Sequence, residues 1–322
     1  MIPSTYQPTL SLANAQKKAE FLRKIREFFY QRNVMEVTTP ILSNHGNTDV
    51  FIESVSVNFH YQGRPKTGYL HTSPEFAMKR LLATYQVPMY QLCQVFRDNE
   101  KGHKHNIEFT MLEWYRPEFD LDMLADELQA LLTAVFDQPM DIIKLSYSDA
   151  FIKSTQIHPL SASIDTLRAC ALSHGITLDM GDDHQGWLDL LFSHLVEPTL
   201  GCETPTLITD YPPATASLAK MAIDADGHQV AKRFELYING IEIANAYDEL
   251  ADGDALRARF EQDNISRAAL GLPQMPIDEY LLAACDDLPE CSGIALGVDR
   301  LFMVATGLSD ISQVIAIMTE RA

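Results

Sequence analysis

Arg97 closes the apolar run Tyr90–Phe96 and is followed by Lys101, His103, Lys104 and His105, then by Phe109. Cations ahead of an aromatic ring offer charge for phosphates and a stacking platform for a base. A solvated hairpin loop is the plainer alternative, because loops are polar by default. Far downstream, Glu290–Thr306 reads as a Gly-rich apolar strand running into Asp299-Arg300 and an amphipathic helix. Gly293 and Gly297 let a ligand approach the backbone, Asp299 can cap the first helical turn, and Arg300 can stack on a base or pair with a phosphate. A third group of residues is acidic. Glu235 and Glu242 flank Asn239-Gly240, and two carboxylates on one face repel unless a cation such as Mg2+ sits between them.

The elements that position these groups follow from periodicity. Residues 90–116 read as two strands joined by a polar loop at about 98–106. Alternation puts Phe109, Met111, Glu113 and Tyr115 on one face of the second strand, and Glu108, Thr110, Leu112 and Trp114 on the other. An aromatic, a carboxylate and a phenol together suit a pocket better than a core. Asn239-Gly240 between alternating segments predicts a two-residue hairpin turn pairing Ile238 with Ile241 and Tyr237 with Glu242. Glu235 then lies diagonal to Glu242, roughly 7–8 Å away. Asn245 and Glu249 have the opposite parity and reach the same pocket only if a bulge near Ala244 re-aims the strand. If no cation is bound, Glu235 is simply the solvent face of an edge strand.

These stretches resemble the catalytic domain of class II aminoacyl-tRNA synthetases of the lysyl type. More closely, they resemble free-standing paralogues that attach lysine or β-lysine to elongation factor P. The likeness rests on Phe21–Phe29 through Val34–Pro40, on Phe96-Arg97 with His105-Asn106 and Phe109, and on Gly293 to Arg300. Leu70–Arg80 and Glu235–Leu250 add the lysyl-type stretches, so nearly the whole chain is covered. The implied fold class is α+β, a single catalytic domain with an antiparallel β-sheet flanked by helices.

The resemblance implies a role for each matching residue. Arg97 and Arg300 are the expected catalytic cations. Arg97 contacts the α-phosphate and the substrate carboxylate, and Arg300 sandwiches adenine with Phe109 while Gly297 leaves room. Asp98, Asn99, Glu242 and Ile243 complete the ATP site, and His105 and Asn106 hold the outer phosphates. Glu235 and Glu242 are the expected Mg2+ ligands. Ser73, Pro74 and Glu75 receive one substrate ammonium, with Glu113, Tyr115, Asn245 and Glu249 gripping the other. Buried ammoniums need such paired partners to offset desolvation. For Glu75 a carboxylate favoured by a helix N-terminus is the alternative, and for Tyr115 a half-buried strand aromatic.

Three departures matter. Asn99 stands where the family has a glutamate reading the adenine amino group, with Glu100 next along. Ile107 replaces a proline. Ala295 stands where lysyl-tRNA synthetases carry glycine and the elongation-factor ligases carry alanine. Its methyl should favour an isomer with the amino group one carbon further along, at about 1–3 kcal/mol. The expected activity is ATP-dependent activation of (R)-β-lysine, more weakly lysine, as an adenylate, with transfer to a lysine side chain of elongation factor P. A free-standing activating enzyme with tRNA or a small molecule as acceptor is the alternative, and a regulatory paralogue without turnover is the non-enzymatic one.

Composition narrows the partners. A formal net charge of −19 over 322 residues repels nucleic-acid phosphates. The first-motif helix starts near Ser11, leaving no room ahead for an anticodon-binding domain, so transfer to tRNA is disfavoured. No apolar stretch of ~20 residues exists, and Met1-Ile-Pro-Ser-Thr lacks the regions of a signal peptide, so a cytoplasmic protein without a membrane partner is expected. Five cysteines without a Cys-x-x-Cys read as free thiols in a reducing compartment. Residues 141–205 read as a mostly helical insertion. Phe21, Leu22, Ile25, Phe28 and Phe29 give the first helix more apolar surface than one face needs, which together with the likeness predicts a homodimer.

Overall fold

A computed structural model describes residues 6–322, and the expectation about the leading Met1-Ile-Pro-Ser-Thr lies outside the described residues. The chain divides into two compact units, Met1–Gln138 with Glu249–Ala322, and Pro139–Asp248. The first unit begins with α1 (Leu12–Gln31), β1 (Met35–Glu36), β2 (Leu42–Ser43), β3 (Ser56–Tyr61), β4 (Arg64–Leu70), α2 (Glu75–Tyr85), β5 (Met89–Phe96), β6 (Glu108–Pro117) and α3 (Leu121–Phe136). The second unit holds β7 (Ile143–Ser146), α4 (Tyr147–Thr155), α5 (Ile164–Ser173), α6 (His184–Leu191), β8 (Thr206–Tyr211), β9 (Met221–Ile223), β10 (Gln229–Ile238) and β11 (Ile241–Asp248). The chain returns to the first unit with α7 (Gly253–Ala269), α8 (Glu279–Cys285), β12 (Cys291–Gly297) and α9 (Val298–Thr306).

In the first unit β1 runs parallel to β5, and β5, β6 and β12 follow as antiparallel neighbours. The Ser11 hydroxyl accepts from the Asn14 amide and starts α1. Phe21, Ile25, Phe28 and Phe29 then recur at helical spacing and are all buried. Phe29 stacks on Tyr90 at 4.5 Å between ring centroids and meets the edge of Trp114 at 5.4 Å. The apolar stripe is therefore consumed inside the unit, with the Arg32 guanidinium 3.6 Å from the centre of the Phe28 ring. Only Leu22 of that set is half-buried. The surplus apolar face expected of this helix is absent, and that argument for a dimer falls.

The strand β6 divides its side chains as alternation requires. Leu112 and Trp114 are fully buried, and the Trp114 indole N–H donates to Glu127 of α3 at 3.1 Å. Glu113 and Tyr115 take the other face, opposite Ala295 and Gly293 of β12. Behind β12, α9 starts at Gly297 with no side-chain cap. Asp299 does not cap it. Its carboxylate accepts from Lys18 of α1 at 2.6 Å and from the Thr110 amide at 2.7 Å, tying helix, strand and Arg300's neighbourhood together. A cation from a distant helix outcompetes the local N–H groups for a carboxylate only 2% exposed.

In the second unit β11, β10, β8 and β7 lie side by side, with β9 also on β10. Asn239 and Gly240 both have positive φ, 54° and 63°, as a two-residue hairpin turn demands. Ile238 faces Ile241, Tyr237 faces Glu242, and the register then slips so that Leu236 faces Ala244 and Glu235 faces Asn245. Ile243 is the extra residue of a bulge, at the place the parity of Asn245 required. Tyr147, Phe151, Trp187, Phe192, Tyr211 and Tyr237 form the core. Between 141 and 205 the regular structure is helical except for β7, which adds a parallel edge to β8, and irregular stretches join the helices.

No helix among the described residues is long and apolar enough to cross a membrane. All five cysteines are free, Cys202 exposed, Cys93 half-buried and the other three buried.

Candidate active site

An acid cluster in the first unit carries the chemistry expected of an ammonium pocket. Glu75 stands in the first turn of α2, and its own amide donates to the Ser73 hydroxyl at 3.2 Å. Glu113 comes from β6, and Glu249 follows β11 with its amide donating to the Cys291 carbonyl at 3.1 Å. Glu113 and Glu249 are each 2% exposed. Tyr115 donates its hydroxyl to Glu113 Oε1 at 2.7 Å, while Glu113 Oε2 has no partner. Burial, then repulsion from Glu75, pushes the Glu113 carboxyl well above the usual range. A Cβ at position 293 would sit 2.4 Å from both Glu249 Oε1 and Tyr115 Cε1, so only glycine lets β12 pass this cluster. Ala295, opposite Glu113, puts the single methyl there.

Sequence reasoning missed the cluster's own cation. Lys79, one turn after Glu75, places Nζ 2.8 Å from Glu75 Oε1 and 2.5 Å from Glu249 Oε2, and is 1% exposed. Burial alone would lower its pKa, but the two carboxylates outweigh burial and hold it above the ordinary lysine value. The Glu75–Lys79 spacing of four was the one local signal available. Ser73 and Pro74 line a cavity of about 410 Å³ walled by Asn47, His71, Arg80 and Asp278, whereas Glu75 joins Lys79.

The residues expected at the phosphates lie on the β5–β6 loop and the start of α9. Arg97 sits with its guanidinium 5.4 Å from the centre of the Phe109 ring and 3.6 Å from Glu100, and its buried Nε has no partner. Arg97 therefore lies over Phe109. Arg300 donates to His105 Nε2 at 2.5 Å and to the Lys104 carbonyl at 3.3 Å. Burial, then the Arg300 charge, lowers the His105 pKa, so the ring faces Arg300 neutral. Asn106 departs from the expected phosphate role. Its amide donates to the Glu108 carbonyl at 2.6 Å and to Thr319 at 3.0 Å, which pins the loop and uses the donors. Asn99 is exposed in the left-handed conformation at φ 60°, and its amide donates to Asp98 at 2.8 Å. Glu100, turned toward Arg97, does not replace it.

The paired-acid metal site expected at Glu235 and Glu242 does not fit the second unit. Glu235 accepts from the hydroxyls of Tyr211 and Tyr237 and pairs with Arg233. Those donors occupy both oxygens, and a guanidinium beside them repels a second cation. Arg233 also donates to Asn245 at 3.0 Å, and Asn245 donates to Tyr247 at 2.9 Å. Among the described residues no group of three or more His, Cys, Asp or Glu could hold a metal ion.

Comparison with known proteins bears on the whole chain. The family model of tRNA synthetases class II (D, K and N) matches residues 9–319. A curated protein of Pectobacterium atrosepticum, "Elongation factor P--(R)-beta-lysine ligase", is 47% identical over 324 residues and 99% of both chains. Proteins of the same description from Pectobacterium carotovorum subsp. carotovorum and Salmonella typhi are each 46% identical, again over 99% of both chains.

Proposed function

The chain belongs to the class II tRNA synthetases (D, K and N), and from that membership we propose that it activates (R)-β-lysine with ATP and transfers it to a lysine of elongation factor P. The observation that carries the proposal is the cluster of buried Glu113 and Glu249 with half-buried Glu75, in which Glu113 Oε2 is still without a partner. Such a cluster suits a ligand with two ammoniums. Relatives almost half identical over the same length are described as this ligase.

The substrate carboxylate attacks the α-phosphorus of ATP and displaces pyrophosphate, giving an aminoacyl-adenylate. A carboxylate is already a nucleophile at neutral pH, so no general base is needed. Arg97, with Nε unspent, draws carboxylate and α-phosphate together and neutralises charge as it develops. Phe109 offers the base a stacking face, and Arg300, held by His105 and Lys104, is placed to turn toward the nucleotide. Asp98, Asn99, Gly297, Glu242 and Ile243 are assigned to the nucleotide, and Asn245 to the substrate, on motif alone. In the second step the acceptor amine attacks the acyl carbon, an amide bond forms, AMP leaves, and the amine's proton passes to solvent.

The test is a mass shift on purified elongation factor P that requires enzyme, ATP and β-lysine together. Efficient charging of tRNA without such a shift refutes the proposal. A net charge of −19 and free thiols support an acceptor other than nucleic acid and a cytoplasmic setting. The homodimer is proposed on family likeness, and light scattering tests it. Ala295→Gly, which removes the methyl opposite Glu113, is expected to raise exchange with lysine relative to β-lysine about tenfold or more. An unchanged ratio in pyrophosphate exchange rules out that methyl as the selector.

A further inference from the structure

Two carboxylates in the first unit, Glu75 and Glu249, converge on one internal ammonium, that of Lys79, and the charge of Lys79 also acts on Glu113. It bridges two different elements, since Glu75 belongs to α2 and Glu249 follows β11. Once a bound ammonium draws the proton off Glu113, the three acids and Lys79 carry a formal excess of two negative charges among themselves, the number that the two ammoniums of a lysine-type substrate supply. We propose that Lys79 is a positioning residue that sets substrate charge. By bridging Glu75 and Glu249 it fixes both carboxylates and cancels one acid, so that the pocket selects a diammonium ligand over one with a single ammonium. This deepens, and rests on, the reading of the site as a lysine-type pocket.

The geometry supports that role over a merely structural one. Lys79 lies wholly inside, where an aliphatic residue would fill the volume without the desolvation of a charge. Its two partners are acids already assigned to the substrate. Titratable groups facing the three acids and Lys79 include Tyr115 of β6, Cys285 of α8 and Cys93 of β5, whose thiol burial pushes up to about 12. Burial pushes the Cys285 thiol up to about 11 and the Tyr115 phenol well above its ordinary value, so neither gains charge near neutrality. Removing the ammonium would leave Glu75 and Glu249 without that counterion and raise the proton affinity of Glu113 further, because the Lys79 charge opposes protonation of that carboxyl. Substrate would have to displace that proton in order to bind.

ATP–pyrophosphate exchange with wild-type enzyme comes first, and no exchange with β-lysine sinks the functional reading and this inference together. With exchange established, Lys79→Met is compared with wild type on β-lysine and on 3-aminohexanoate, which lacks the terminal amine. The expected result is a KM for β-lysine raised about 100-fold with kcat within about tenfold. The acid limb of kcat/KM should move up by about one pH unit or more, while the KM for the monoamine changes less than about threefold. Equal losses for both ligands, or an unmoved acid limb, overturn the assignment even if the melting temperature falls. Should Lys79→Met not fold, Lys79→Arg decides. With the charge kept, the acid limb stays at its wild-type pH while the KM for β-lysine rises. A moved limb or an unchanged KM overturns the proposal.

Discussion

Replacing Arg97 with alanine is expected to lower kcat for adenylate formation about 10³-fold, a loss of about 4 kcal/mol of transition-state stabilisation. The guanidinium is already oriented over Phe109, its nearest acid lies 3.6 Å away, and its Nε is buried without a partner. Its donors are thus held ready, and they gain full partners only when a phosphate and a carboxylate arrive. Arg97→Lys should rescue little, because an ammonium cannot reproduce the planar fork that grips two oxygens at once. Single-turnover pyrophosphate release measures the step, with a melting curve as the control for folding. A variant within tenfold of wild type removes Arg97 from the chemistry.

Glu113→Gln is expected to separate stability from activity. The Glu113 carboxyl is buried, repelled by Glu75, and titrates well above its ordinary value. The folded protein therefore keeps a proton that the unfolded chain releases above a carboxyl pKa of about 4.3. The linkage sign follows from this: the folded state binds more protons, so stability falls as pH rises from the unfolded value through the raised folded one. An amide removes that slope while still accepting from Tyr115. Thermal melts at pH 5 and pH 8 should show the variant gaining on wild type as pH rises. β-Lysine affinity should fall about 100-fold, since a buried ammonium loses its charged partner at about 3 kcal/mol. Parallel pH slopes for the two proteins defeat the stability argument, and an unchanged KM defeats the substrate role.

Much of this was legible in residue order because strand parity is strict. Alternation alone put Trp114 and Glu113 on opposite faces of β6, and the structure keeps them there. Asn239-Gly240 announced the hairpin, and the odd parity of Asn245 called for a bulge near Ala244, which the structure makes at Ile243. What stayed hidden was which charges satisfy one another across the fold. Asp299 seemed a helix cap until Lys18, far away in sequence, claimed it. Glu235 seemed a metal ligand until Arg233, two residues before it on the same face, and two tyrosines filled its oxygens. Lys79 was in plain view, yet its role depends on Glu249, which only the fold brings near. Pattern periodicity reports the face a side chain takes, whereas charge pairing depends on three-dimensional neighbours that periodicity does not encode.

The uneven burial of the thiols makes the molecule easy to tag. Cys93 is pushed up to about 12 by burial and Cys285 to about 11, burial also raises Cys170, and Cys291 is enclosed. Alkylating reagents attack thiolates that they can reach. Maleimide added to the native enzyme should couple once, at Cys202, so a dye or spin label can follow the second unit during turnover without any engineered residue.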